Sequence, residues 1–191
     1  NLFGAKRRVL DALGVDSHQE GVVAYQDAEN NRVDPVVVDD GPVKEVFDDD
    51  PDLEDIPIVY HSEHDTGHYI TAGIQVADLP HTGVHGQGVH RMVRKDSTTL
   101  GLWAPEERRV GYAYRVNGDE DEPTELAIVI APQPEVFMGS IANVPHSIDK
   151  YSIGGAFRGE PVELVECETI DVMVPANAEM VIETKVHPEG T

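Results

Sequence analysis

Tyr69-Ile70-Thr71-Ala72-Gly73-Ile74-Gln75-Val76 is the stretch on which the fold turns. Ile70, Ala72, Ile74 and Val76 alternate with their neighbours, the period-two pattern of a strand with one buried face. From here to the C-terminus the chain reads as strands with helices between them. Residues 80–83 form a turn. Residues 84–93 read as a second strand, with Gly86 and Gly88 marking a bulge or a close backbone approach. Residues 98–103 give a third. Pro105 fits the first position of a helix, with Glu106 and Glu107 in the first turn where the dipole favours acid and Val110, Ala113 and Tyr114 facing inward. Residues 117–123 are an acidic loop. Residues 126–130 are a buried strand, and residues 134–142 and 148–157 are short helices. Residues 162–165, 170–174 and 179–186 are three late strands.

The stretch before Tyr69 is different. Residues 3–13 read as an amphipathic helix with Phe3, Val9, Leu10 and Leu13 near one face and Gly14 as its stop. Residues 15–50 are weakly periodic. Val22-Val23-Ala24-Tyr25 and Val36-Val37-Val38 are the strand-like pieces there, and Asp52 to Asp55 suggests one helical turn. The sum is an α+β chain. A lead-in over residues 1–60 carries the N-terminal helix and an acidic loop, and a β-rich domain follows over residues 61–191.

Composition narrows the function classes. The 191 residues carry 36 Asp plus Glu against 14 Lys plus Arg, a net charge of -22. Such a surface repels a phosphate backbone and an anionic bilayer, so neither nucleic acid nor a membrane is an expected partner. No apolar run approaches the roughly 18 residues of a spanning helix, and a cytoplasmic protein is the expectation. One cysteine, Cys167, excludes an internal disulfide framework and reads as a buried, inert thiol. The acid is dispersed and Lys is scarce, which suits a halophilic protein working where salt screens self-repulsion. Its melting temperature is accordingly expected to rise from low to multimolar salt, and a flat or falling profile rejects the halophilic reading. The chain begins at Asn1 rather than Met, and both ends read as cut from a longer protein.

Two clusters invite chemistry. His61-Ser62-Glu63-His64-Asp65-Thr66-Gly67-His68 has the side chains of a transition-metal site, but not the spacing of a helical zinc motif; the competing reading is a polar loop. On a continuous strand over residues 84–93, His85, Gln87 and Arg91 share one face and His90 points away. An Arg on the inner face of a strand calls for an anion, either a ligand's phosphate or carboxylate or a nearby acidic side chain. Gly83, Gly86 and Gly88 are not followed by a helix, so they do not make a dinucleotide fingerprint.

The C-terminal third is more specific. Residues 154–169, GGAFRGEPVELVECET, and residues 174–183, VPANAEMVIE, resemble signatures of the UbiD family. Asn1-Leu2-Phe3-Gly4, Arg8-Val9, Ala12-Leu13-Gly14, the run from Gly41 to Val46, Asp52-Leu53, Ile56-Pro57-Ile58 and Tyr69 to Gly73 extend the likeness over nearly the whole chain. The resemblance implies a split β-barrel like that of flavin reductases, with short inserted helices. It implies reversible decarboxylation of an aromatic or α,β-unsaturated acid with prenylated FMN or FMN. In the family a divalent metal such as Mn holds the flavin phosphate, and the acid–base Glu and the oligomerisation domain lie further along a longer chain. The implied partners are a small carboxylate substrate and either further copies of the chain or a UbiD-like subunit. A member without activity would instead serve as a structural or assembly subunit.

Carried over by position, Arg91 falls on the family's active-site Arg and is the implied catalytic and cofactor-contacting residue. Gly88 and Trp103 match, and Ser140 falls in the phosphate-contacting stretch. The family's three metal ligands do not match. Its Asn falls on Gly86, its His near Glu106 or Glu107, and its Glu on Lys150. Glu106, Glu107 and His85 remain as weak candidates for a cation. Lys150 is placed to meet a phosphate as a point charge, and Gln87 joins it as a candidate contact.

Overall fold

The structure, a computed structural model, describes residues 4–188. Its helices are α1 (Lys6–Ala12), α2 (His18–Asn30), α3 (Arg109–Asp119), α4 (Pro134–Ser140) and α5 (Lys150–Arg158). Its strands are β1 (Val36–Val37), β2 (Tyr69–Ile70), β3 (Ile74–Leu79), β4 (Val84–Val89), β5 (Met92–Arg94) and β6 (Leu100–Leu102), then β7 (Thr124–Ile130), β8 (Glu163–Glu166), β9 (Met173–Pro175) and β10 (Met180–Val186). They form three sheets, ordered β10-β7-β3-β4, β2-β5-β6 and β1-β8-β9. The architecture is mixed α+β with open sheets; these ladders do not close into a barrel among the described residues.

The largest sheet is built on β7. Leu126, Ala127, Ile128 and Val129 are all buried, as their unbroken apolar run requires of a central strand. β10 pairs antiparallel with β7 on one side and β3 on the other, with Val129 opposite both Val181 and Ile74. The main core lies between this sheet, Tyr151 of α5 and the β8–β9 ribbon. A second cluster sets Val110 and Ala113 of α3 against Ala77, Leu79 and Leu126.

Four expectations need correction. Val22 to Tyr25 is helix, not strand. Ser17 caps α2 by accepting from Glu20 N at 3.2 Å, and the Glu20 carboxylate accepts from Asp16 N at 2.9 Å. This capping pair starts the helix despite two β-branched residues, and Tyr25 and Ala28 then pack on α4 and α5. The helix expected from Pro105 begins at Arg109, because the carbonyl of Pro105 accepts from Arg108 N in a turn that precedes it. Glu106 and Glu107 therefore sit in that exposed turn and not in a first helical turn.

The strands expected over residues 69–76 and 84–93 are each broken in two. Gln75, wholly buried, explains the second break. Its Oε1 accepts from His90 N at 2.7 Å, and its Nε2 donates to the carbonyls of His90 and Gly73, both at 3.1 Å. A side-chain amide thus takes the place of ladder partners for His90, and β4 stops at Val89. The first helix runs from Lys6; Phe3, assigned to its apolar face, lies outside the described residues.

Candidate functional site

A cleft of about 440 Å³ opens where β4, α3, the end of α4 and the start of α5 meet. Its position follows from helix packing. α4 and α5 touch through glycine: a Cβ on Gly139 would lie 2.7 Å from Gly154 N and 2.8 Å from the Lys150 carbonyl. This approach brings the C-terminal end of α4 beside the first residue of α5. Lys150, only 8% exposed, donates from Nζ to the carbonyls of Ser140 at 2.7 Å and Gln87 at 3.2 Å. Asp149 caps α5 by accepting from Tyr151 N at 2.8 Å.

Arg109 is the first residue of α3 and is 5% exposed. Its Nη2 donates to the carbonyl of Pro145, while its Nη1 is buried without a partner. Gln87, 1% exposed on β4, has neither its Nε2 nor its Oε1 satisfied. Buried polar groups almost always have partners, so three orphaned atoms in the walls of one cleft point to a ligand. Arg108, Glu107, His90 and His146 also line it, and Trp103 (77% exposed) and Ile141 form an apolar rim.

The electrostatics agree with an anion site. Burial, helped by Arg109 and Arg108, brings the Lys150 ammonium from 10.5 down to about 8. Burial lowers the Arg109 guanidinium as well, and Asp149 opposes that shift. Burial, Arg108 and Lys150 hold the His90 imidazole below its ordinary value. Each group is pressed to give up its proton, chiefly by burial and, for Lys150 and His90, also by neighbouring cations.

The structure brings Gln87, Gly88, Ser140, Lys150, Trp103 and Glu107 together on this cleft. Arg91 is not among the lining residues. It is exposed in the gap between β4 and β5, because the break at His90 ends the strand face it was expected to share with His85 and Gln87. His90, expected to point away, lines the cleft instead. His85 is committed elsewhere: its Nδ1 bonds Asp78 at 2.8 Å, and although burial opposes the charged ring, Asp78 and Asp149 raise its pKa overall. Glu106 is exposed and outside the cleft lining.

A divalent metal does not fit these residues. Among the described residues no three His, Cys, Asp or Glu side chains are grouped to hold one. Gly86 is packed so tightly that a Cβ would meet Leu79 Cδ2 at 2.5 Å, and Lys150 presents an ammonium where a carboxylate ligand was expected. The His61–His68 stretch is a largely exposed loop, in which His68 bonds the Ile58 carbonyl. Cys167 is buried, and burial followed by Glu183 pushes its thiol up to about 12.

Arg108, Arg109 and His90 were not singled out from sequence as site residues. No local signal marks the two arginines: the sequence places the helix start at Pro105, and only the structure puts Arg108 and Arg109 at its beginning, where the dipole favours acid.

The family model for the 3-octaprenyl-4-hydroxybenzoate carboxy-lyase Rift-related domain, UbiD, matches residues 35–191. An uncharacterized protein of Aquifex aeolicus is 30% identical over 99% of this chain and 43% of its own length. Anhydromevalonate phosphate decarboxylase of Methanothermobacter thermautotrophicus is 31% identical over 71% of this chain and 31% of its own length. The chain thus spans less than half the length of these relatives. Among solved structures, an evolved dimeric form of the UbiD-class enzyme HmfF from Pelotomaculum thermopropionicum, in complex with prFMN, superposes with a TM-score of 0.90. It is 34% identical and is covered to 44%, against 97% of this chain. Vanillic acid decarboxylase of Sedimentibacter hydroxybenzoicus, in its closed form, gives a TM-score of 0.91 at 26% identity, covering 98% of this chain and 42% of that one.

Proposed function

Since the chain belongs to the UbiD family, we propose that it is the prenylated-FMN-binding portion of a carboxy-lyase acting on an aromatic or α,β-unsaturated acid. The observation that carries the reading is the cleft: a cationic, hydrogen-bond-hungry pocket with an aromatic rim, in a fold shared with a UbiD-class enzyme in complex with prFMN. When bound, the flavin supplies the electron sink for breaking the bond to the carboxylate. The chain's own residues hold it. Lys150, Arg109 and Gln87 take its polar end, and Trp103 offers an exposed ring for its flat one. Residues 61–191 are proposed as the flavin-binding unit in a split-barrel arrangement, with residues 1–60 as its lead-in. Further copies or a UbiD-like subunit are proposed to complete the assembly. No helix among the described residues is long and apolar enough to cross a membrane.

Arg91 is proposed to meet the substrate carboxylate from the solvent side of the β4–β5 gap, next to His90 in the cleft wall. The test separates the two roles. Purified protein supplied with prenylated FMN should show a flavin absorbance band, and the full-length protein that contains this chain should decarboxylate one acid of a cinnamate and hydroxybenzoate panel. Arg91→Ala should keep the flavin and lose at least about tenfold in kcat/KM. Loss of the flavin in that variant, or unchanged turnover, rejects this place for Arg91. A bound flavin without turnover by the wild-type protein, together with co-purification of a longer homologue, would instead favour an assembly subunit. Absence of any flavin binding rejects the flavin reading.

A further inference from the structure

Two helices place a cation at the wrong end. Arg109 opens α3 and Lys150 opens α5, and each stands where the partial positive charge of the helix disfavours it. Both are nearly buried, and both line the same cleft. The carbonyls that hold Lys150 use two of its three donor hydrogens. Arg109 Nη1 and Gln87 Nε2 are donors with no acceptor, and Gln87 Oε1 is an acceptor with no donor. Arrangements of this kind are costly unless a ligand completes them. The ligand must bring negative charge for two cations, oxygen acceptors for three donor groups, and a hydroxyl for Gln87 Oε1. Glu107, at the exposed rim, is the one carboxylate among the lining residues. Asp149, beside Lys150 in sequence, caps α5, and its charge offsets Arg109 only in part.

We propose that the cleft seats a phosphate monoester of a hydroxyl-bearing compound directly on Lys150, Arg109 and Gln87, with no divalent cation between protein and phosphate. This rests on the flavin reading above for the identity of the ester, but the seat itself stands on the orphaned donors. The two fixed cations match the charge of a phosphate dianion. A bridging metal would need anionic ligands, and the residues here supply an ammonium and a guanidinium in their place.

The experiment is a fluorescence titration of the full chain, washed with EDTA, with FMN and with riboflavin, which lacks the phosphate. FMN is expected to bind in EDTA and to gain less than about twofold when Mn2+ is added. Riboflavin is expected to bind at least about tenfold more weakly. Lys150→Met should bring FMN down to the riboflavin level without changing riboflavin, and Lys150→Arg should retain much of the difference. Should Lys150→Met not fold, Arg109→Met carries the same expectation. FMN binding that requires Mn2+, equal binding of the two flavins, or an FMN affinity indifferent to Lys150→Met overturns the seat. If neither flavin binds, inorganic phosphate and glycerol phosphate are tested for thermal protection. Protection that Lys150→Met or Arg109→Met removes supports the seat while rejecting the flavin; no protection overturns both.

Discussion

Gly139→Ala is expected to destabilise the protein by about 1–3 kcal/mol, toward the upper end of what overpacking costs. A methyl group at this position would lie 2.7 Å from Gly154 N, 2.8 Å from the Lys150 carbonyl and 3.1 Å from Gly154 Cα. All three are backbone atoms, so no rotamer change can relieve the contact and the two helices must separate. The same movement carries the Ser140 carbonyl away from Lys150 Nζ, so ligand affinity should fall with stability. The measurement is the urea midpoint at unchanged m-value. Gly118→Ala in α3 is the control. Nothing lies within 4 Å of the added carbon, so the better helix propensity of Ala should stabilise, by up to about 1 kcal/mol. Equal effects of the two substitutions would reject the close α4–α5 approach as the cause.

The second large effect is expected at Gln75. Gln75→Leu keeps the volume roughly constant and removes an acceptor for His90 N and donors to the carbonyls of His90 and Gly73. Each backbone group left buried without a partner costs about 1–3 kcal/mol, less where water can reach it. His90 is partly exposed, so its loss is the smaller share, while the wild-type amide occupies a fully buried site. The melting temperature should fall, and the His90 amide should lose its protection against hydrogen exchange while amides in β7 keep theirs relative to global stability. Gln75→Glu should be no better, because it keeps the acceptor but buries a carboxylate and still loses both donors. Undiminished exchange protection at His90 would show that Gln75 does not hold the break between β4 and β5.

These two positions mark the boundary of what the sequence reveals. The run from Leu126 to Ile130 is legible because an unbroken apolar stretch has one comfortable place, the middle of a sheet. The α4 and α5 helices and the strands β8 and β10 are also legible from local pattern, whereas β9 begins at Met173 and not at the expected residue 170; Gln87, Ser140 and Lys150, singled out from sequence, line the cleft. The strand at Tyr69 and the one after Val84 also carry the right period. Their breaks do not show, because the agent of the second one, Gln75, lies fifteen residues before the backbone it satisfies. That break decides which side of the sheet His90 and Arg91 occupy, so the reading of one continuous strand put Arg91 on the inner face and His90 away from it. In α2 the β-branched pair Val22-Val23 suggests a strand, and the Ser17–Glu20 cap settles the matter locally. The capping pair was available in the sequence and outweighs the propensity of two residues.

By itself, the sequence determined the composition of layers, the family signatures and a cationic residue where an acidic ligand was expected. Periodicity and side-chain chemistry are properties of short stretches, so they survive without coordinates. Only the tertiary structure decided that Lys150 and Arg109, forty-one positions apart, open two helices onto one cleft that Gln87 also lines. That meeting depends on a glycine contact between α4 and α5 and on an amide that interrupts a sheet. Both are interactions between distant parts of the chain, and no local pattern encodes where such parts come to rest.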